Sequence, residues 1–249
     1  MKKDVFKNYS KYYDLLYKDK DYSLEAEYIR SLLKKHSPHA AEILEFGCGT
    51  GIHAHLLHKM GYQIEGIDLS EEMLEFGRKK HPEIKFHKGN IGNINLGKKF
   101  DAVISIFHVF SYLTSNEDLF NTFTTASSHL KEGGVLLFDC WYGPGVITDK
   151  PQTRVKRLEN ESISVCRIAE SEIFPNNNTV NVNYTVLIKD KKTDSVEEIR
   201  ETHKMRYLFT PEVEFLCERA GLKIQAVYKW LNTEEPDFQS WNACFIARK

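Results

Sequence analysis

The sequence predicts an α/β fold: a parallel sheet with helices on both faces, interrupted late by an inserted antiparallel β-meander. Two observations predict it. Between residues 42 and 141 short apolar runs alternate with amphipathic stretches, the pattern of strands joined by helical crossovers. Between residues 162 and 209 the alternation stops. Three β-prone runs follow one another there, separated by Pro-Asn-Asn-Asn and Asp-Lys-Lys-Thr-Asp turns. A chain of 249 residues holds one such domain plus a modest insertion and buries a sizeable core.

The elements follow in order. Leu24, Tyr28 and Leu32, with Ile29 and Leu33 beside them, form an apolar stripe of helical period. Glu25 and Glu27 stand early in it and Lys34 and Lys35 late, as the helix dipole prefers, before His36-Ser37-Pro38 breaks it. Residues 43–46 read as a strand that runs into glycines. A helix follows, with Ile52, Leu56, Leu57 and Met60 on one face. Residues 62–67 are a second strand, and Ser70 can cap a helix over residues 71–80. Residues 84–87 and 100–107 supply strands three and four. A helix over residues 117–130 is expected to stop at Gly133-Gly134, with strand five at 135–141. After the meander, Thr210 reads as a helix cap with Pro211 at the first helical position. Residues 223–230 and 241–248 then complete the sheet.

Composition narrows the function. The chain carries 34 basic and 35 acidic residues, a net charge of −1, and no stretch of Lys and Arg without interleaved acids. Neither a nucleic-acid partner nor an anionic membrane is expected. The longest apolar run, at 102–110, is too short for a bilayer and contains His108. The N-terminus has no apolar h-region of a signal peptide, and the five cysteines are odd in number with no C-x-x-C pair. These features read as buried thiols in a cytoplasmic protein. Oligomeric state stays open between monomer and homodimer. His53, His55 and His58 suggest a metal cluster on paper. His53 and His55 fall on different faces of a helix, no carboxylate or cysteine completes a set, and a solvated face with no metal is expected.

The most informative segment is Glu45-Phe46-Gly47-Cys48-Gly49-Thr50-Gly51, which follows a strand and opens a helix. Glycines there permit a tight turn and the close approach of a ligand. Asp68 ends the next strand 21 residues after Gly47, the usual distance for an acid that accepts from ribose hydroxyls. A dinucleotide fingerprint has the spacing G-x-G-x-x-G; here it is one residue tighter, and Glu45 precedes the turn. A carboxylate is awkward beside a pyrophosphate but suits a cationic ligand, so an NAD-dependent oxidoreductase falls behind.

Residues 43–91 and 100–112 resemble the motif series of class I S-adenosylmethionine-dependent methyltransferases. The resemblance implies a Rossmann-like sheet, S-adenosylmethionine as cofactor and methyl transfer as activity. Carried over by position, Gly47, Gly49 and Gly51 line the methionine and ribose, with Cys48 on the same turn. Glu45 sits near the methionyl amino group and Asp68 holds the ribose hydroxyls. Leu69 and Met73 pack on adenine, and Ile91 belongs to the same adenine segment. Where many members carry an acid that accepts from the adenine amino group, this chain has Asn90, whose amide oxygen can accept the same bond.

The acceptor side follows strands four and five, at Phe107-His108-Val109-Phe110-Ser111-Tyr112 and Asp139-Cys140-Trp141-Tyr142-Gly143-Pro144. The Asn/Asp-Pro-Pro-Tyr motif of nucleobase and amide methyltransferases is absent, so a small acceptor is expected. Tyr13-Asp14-Leu15, Asp21-Tyr22, Trp141-Tyr142 with Pro144, and Leu208-Phe209-Thr210 are similar to bacterial sugar-nucleotide N,N-dimethyltransferases. That resemblance implies, as acceptor, the amino group of a nucleotide-linked deoxysugar. It also implies a helical segment at 1–40 capping the active site, a cofactor domain at 41–150 and 210–249, and an insertion at 151–209 roofing the acceptor. Tyr13 matches a tyrosine that approaches the acceptor, and Tyr17, Trp141 and Tyr142 are expected on the pocket walls. Tyr112 stands where those enzymes carry a histidine, and His108 where they carry a small residue. His108, Tyr13 and Tyr112 are therefore the candidates for taking a proton from the acceptor. O-methylation and cofactor binding without catalysis are the competing readings. S-adenosylhomocysteine at a hundred times its Kd should stabilise the fold by roughly 2.7 kcal/mol in thermal unfolding. Stabilisation by NAD instead would reverse the assignment.

Overall fold

The computed structural model describes residues 20–249, so Tyr13 and Tyr17 lie outside the described residues. It forms two compact units, one of Asp21–Asp149 with Tyr207–Lys249, the other containing Lys150–Arg206. In chain order come α1 (Tyr22–His36), β1 (Glu42–Phe46), α2 (Ile52–Lys59), β2 (Gln63–Asp68), α3 (Glu71–Lys80) and β3 (Lys85–Lys88). Next are β4 (Phe100–Ser105), α4 (Asn116–His129), β5 (Leu130–Tyr142) and α5 (Gly143–Thr148). The second unit is built from β6 (Arg154–Glu159), β7 (Ile163–Phe174), β8 (Thr179–Asp190) and β9 (Val196–Leu208). The chain closes with α6 (Thr210–Arg219), β10 (Lys223–Lys229) and β11 (Asn242–Arg248).

The first unit's strands lie in the order β3-β2-β1-β4-β5-β11-β10, with the first five parallel and β11 and β10 added antiparallel. Chain order reverses between β1 and β4, so a crevice opens beyond their carboxyl ends. Both faces of this sheet are buried, and successive residues divide between them. Leu44, Val103, Leu136, Phe138 and Phe245 pack on one side with Leu119 and Phe123 of α4 and Val213 of α6. Ile43, Ala102, Ile104, Leu137 and Ile246 pack on the other with Ile29, Leu32 and Leu33 of α1, Leu57 of α2 and Leu74 of α3. The second unit is an antiparallel meander, β6-β7-β8-β9, over a small core of Val165, Val186, Ile188 and Ile199. The last two residues of β9, Tyr207 and Leu208, belong to the first unit, where they pair parallel with Trp141 and Tyr142.

Several expectations give way to tertiary packing. Helix α4 ends at His129 with Leu130 as its C-cap, within a residue of the expected end, but the two glycines do not cap it. Gly133, at φ +77°, instead forms a bulge at the start of β5: Phe100 pairs with Leu130, but Ala102 pairs with Val135. Thr210 is the first residue of α6 rather than its cap; Phe209 precedes the helix, and its ring packs over Gly143. Strand β6 and helix α5 were not expected. Of the expected α2 face, Leu57 is buried and Met60 packs against the core, but His53 and Ala54 take the buried places expected of Ile52 and Leu56.

Aromatic stacking organises the α4 side of the sheet. The ring of the fully buried Phe138 lies 4.1 Å from that of Phe110, 5.3 Å from that of Phe245 and 5.5 Å from that of Phe123. Phe138→Ala should cost about 3–5 kcal/mol in urea unfolding, because so enclosed a site collapses poorly around the gap.

Candidate active site

The turn after β1 folds back over the end of β2: the N–H groups of Gly47 and Cys48 both donate to the Ile67 carbonyl, at 2.8 and 3.0 Å. Gly47, Gly49 and Gly51 have φ values of +69°, +54° and +78°. Two of them are demanded by packing as well. A Cβ on Gly47 would stand 2.5 Å from the Val109 side chain, and one on Gly51 2.5 Å from the Phe86 ring. Gly49 differs, since a Cβ there would meet nothing within 4 Å. The turn is therefore closed from below by Val109 and Phe86 and open over Gly49. The Cys48 thiol points into the core against Gly66, and burial pushes its pKa well up, so only its backbone belongs to the turn.

Asp68 is tied to the same turn. One carboxylate oxygen accepts from the Gly49 N–H and the other from the Ser70 N–H, each at 2.8 Å. Burial raises its pKa, while the N–H groups that donate to it oppose the rise. Ser70 caps α3 by accepting from the Met73 N–H at 3.3 Å, which leaves Leu69 exposed and Met73 half-buried beside Asp68. The Gly89 N–H donates to the Asp68 carbonyl at 3.0 Å and brings the loop after β3 to the same place. In that loop Asn90 is exposed and its amide oxygen already accepts from the Gly92 N–H at 2.9 Å, while Ile91 is buried in the core.

Glu45 is 2% exposed, and its Oε2 has no hydrogen-bond partner among the described residues. Desolvation, with the nearby Asp68 carboxylate adding to it, pushes its pKa up to about 8, against a backbone N–H from Ala54. His53 lies between two acids, with Nε2 at 2.8 Å from Glu25 Oε2 and Nδ1 at 3.9 Å from Glu45 Oε1. The expected solvated face of α2 is thus overturned for His53, because α1 packs over it and supplies Glu25.

The loop after β4 starts with two non-glycine residues in left-handed conformation, Phe107 at φ +70° and His108 at φ +61°. Such backbone costs of order 1–3 kcal/mol per residue and persists only where its surroundings over-determine it. Here they do. The fully buried Asp139 of β5 accepts from the His108 N–H at 3.0 Å, and its other oxygen lies 2.5 Å from His108 Nδ1. Ser111 Oγ accepts from the Trp141 N–H at 2.9 Å, and Val109 presses on Gly47. His108 and Tyr112 are half-buried, as is Trp141, whose ring meets Trp241 edge-on at 5.3 Å. Tyr142 is nearly buried within the α4-side core, so its ring is first a packing group. The sequence reading did not single out Asp139, although its place one residue before Cys140, at the carboxyl end of a strand, was a usable signal.

Residues 43–134 match the methyltransferase domain family. A dTDP-3-amino-3,4,6-trideoxy-alpha-D-glucopyranose N,N-dimethyltransferase of Streptomyces venezuelae is 31% identical over 215 residues, which cover 86% of this chain and 89% of that one. The chain belongs to the class I S-adenosylmethionine-dependent methyltransferases. The methyltransferase is also 29% identical over 216 residues to a dTDP-3-amino-3,6-dideoxy-alpha-D-glucopyranose N,N-dimethyltransferase of Streptomyces fradiae, covering 86% of this chain and 83% of that one. The crystal structure of Streptomyces venezuelae DesVI superposes with a TM-score of 0.82 at 26% identity, covering 96% of this chain and 98% of that one. The cofactor is S-adenosylmethionine. The residues present fit it, since the unpartnered buried Glu45 oxygen offers an acceptor to a cationic group and the turn is open over Gly49.

A pKa near 8 for Glu45 carries a sign for stability. The folded, cofactor-free protein holds this proton where the unfolded chain, at the ordinary value of 4.5, has released it. The contribution is fully present below pH 4.5 and is lost as pH rises to about 8. Glu45→Gln removes that loss. Measured from pH 5 to pH 9, the melting temperature of the variant should rise relative to wild type with increasing pH. Parallel curves would show that Glu45 titrates normally.

Proposed function

We propose that this methyltransferase alkylates the amino group of a nucleotide-linked deoxysugar, with His108 as the proton acceptor. The observation that carries the residue assignment is the hold of the buried Asp139 on the His108 backbone N–H, with its other oxygen beside the ring. The acceptor class is supported by the two Streptomyces relatives, both named for N,N-dimethylation of a dTDP-linked amino sugar.

The cofactor, when bound, supplies an electrophilic methyl group on a sulfonium. What remains for the chain is to hold it, to align a nucleophile and to take up a proton. Glu45 would face the methionyl amino group, Asp68 the ribose hydroxyls, and Leu69, Met73 and the Asn90-Ile91 segment the adenine. Gly49 leaves room for the ligand to approach the backbone. An ammonium has no lone pair to donate, so the acceptor must be neutral when it reacts. Asp139 lies beside Nδ1, so Nε2 would be the nitrogen of His108 that takes the proton. The fixed αL backbone then sets where that nitrogen stands. Tyr112, four residues on, and Trp141 would complete the acceptor side. Tyr13 and Tyr17 keep the roles that the family resemblance implies.

Two experiments test this reading. Incubation with S-adenosylmethionine and matched amino and hydroxyl nucleotide sugars, read by mass, should show one or two methyl groups gained on amino sugars alone. Methylation confined to the hydroxyl sugars would make the enzyme an O-methyltransferase. In the second experiment His108→Ala should lower kcat by ~100-fold or more, the usual range for a general base, with S-adenosylhomocysteine affinity unchanged. Asp139→Asn should lower kcat less, since an amide oxygen still accepts from the His108 N–H. Unchanged turnover in His108→Ala would move the proton to another group.

A further inference from the structure

We propose that His55, His81 and Glu83 form a binding site for a late first-row divalent cation, zinc in particular, on the outer side of α2 and α3. The three residues come from separate places in the chain. His55 lies midway along α2, His81 is the C-cap of α3, and Glu83 stands in the short turn that leads to β3. His53, two residues before His55, faces Glu25 and Glu45, so neighbouring histidines on one helix serve different faces.

The geometry is that of a nearly assembled site. The donor atoms of His55, His81 and Glu83 all lie within 4.8 Å of one another. Glu83 Oε1 is their common point: it pairs with His55 Nδ1 and lies 3.9 Å from His81 Nδ1. The two imidazole rings stack with centroids 4.2 Å apart and planes inclined by 29°. Bonds of about 2.0–2.1 Å to a tetrahedral ion place ligand atoms roughly 3.3 Å apart, which small side-chain rotations can reach.

His81 supplies the second, independent observation. It is 5% exposed, yet neither Nδ1 nor Nε2 has a hydrogen-bond partner among the described residues. A buried imidazole with both nitrogens unsatisfied is costly, and coordination would satisfy one of them. The side chains of His55 and Glu83 are 24% and 29% exposed, so an ion can enter from solvent. Two imidazoles and a carboxylate suit zinc, nickel or cobalt and are a poor set for magnesium or calcium, which take oxygen ligands. Three protein ligands leave a coordination position for water. The ion would link α2 to the end of α3.

The test uses the full chain after dialysis against a chelator. Titration with zinc, followed by calorimetry, should show saturable one-to-one binding, and magnesium should show none. His55→Ala and Glu83→Gln, both at partly exposed positions, should each weaken zinc binding at least about tenfold. His58→Ala, on the exposed side of the same helix, should leave it unchanged. S-adenosylhomocysteine affinity should be the same in all three variants, because none of these side chains faces Glu45 or Asp68. No saturable zinc binding would overturn the proposal, as would binding that survives both His55→Ala and Glu83→Gln intact. Equal weakening in His58→Ala would show a diffuse histidine surface instead and overturn it as well.

Discussion

Gly47 and Val109 approach so closely that no side chain fits between them, and Gly51 and Phe86 do the same on the other side of the turn. This packing joins parts of the chain that would otherwise be independent loops. Through Val109 the position of the glycine turn sets the start of the loop after β4. Through Asp139 that loop is fixed to β5, and through the Gly49 N–H the turn is fixed to Asp68 at the end of β2. The glycine turn, Asp68, His108 and Asp139 are thereby referred to one frame, the carboxyl ends of β1, β2, β4 and β5. A methyl transfer needs that common frame, because its rate depends on alignment more than on chemical assistance.

Two buried carboxylates in this frame are handled in opposite ways. Asp139 accepts from the His108 N–H, and its other oxygen lies beside the ring of the same residue. Glu45 has His53 only at a distance, and burial, with Asp68 nearby, pushes its pKa up. The first arrangement orders a side chain in the free protein. The second leaves a buried acceptor oxygen without a partner among the described residues. Both rest on the same low-dielectric surroundings, in which a carboxylate must be paired or protonated.

The sheet was legible because both of its faces are buried, so each strand appears as a short, nearly continuous apolar run. The glycine turn, Asp68 and the α3 cap could be read because each depends on local backbone geometry. What could not be read depends on contacts distant in sequence. His53 looked exposed because Glu25, 28 residues earlier, is what buries and pairs it. The glycines after α4 were read as its stop, but they belong to a bulge whose pairing with β4 lies about 30 residues away in sequence. Strand β6, Arg-Val-Lys-Arg-Leu-Glu, carries too few apolar residues to announce itself, and only its pairing with β7 makes it a strand. His55 likewise gained its carboxylate from Glu83, which α3 brings back to it.

The left-handed pair Phe107 and His108 has a consequence for the protein's ensemble. Each residue, left to itself, favours a negative φ, so the native loop is held against its own intrinsic preference by three anchors: Val109 on Gly47, Asp139 on His108, and Ser111 on Trp141. Loss of one anchor need not unfold the sheet, whose cores lie elsewhere. It shifts the population of this one segment toward relaxed conformers. Amide hydrogens near His108 would then exchange faster while those of β4 and β5 stay protected. The geometry of this loop and global stability can therefore vary separately in this protein, and a fully folded variant can still have lost that geometry.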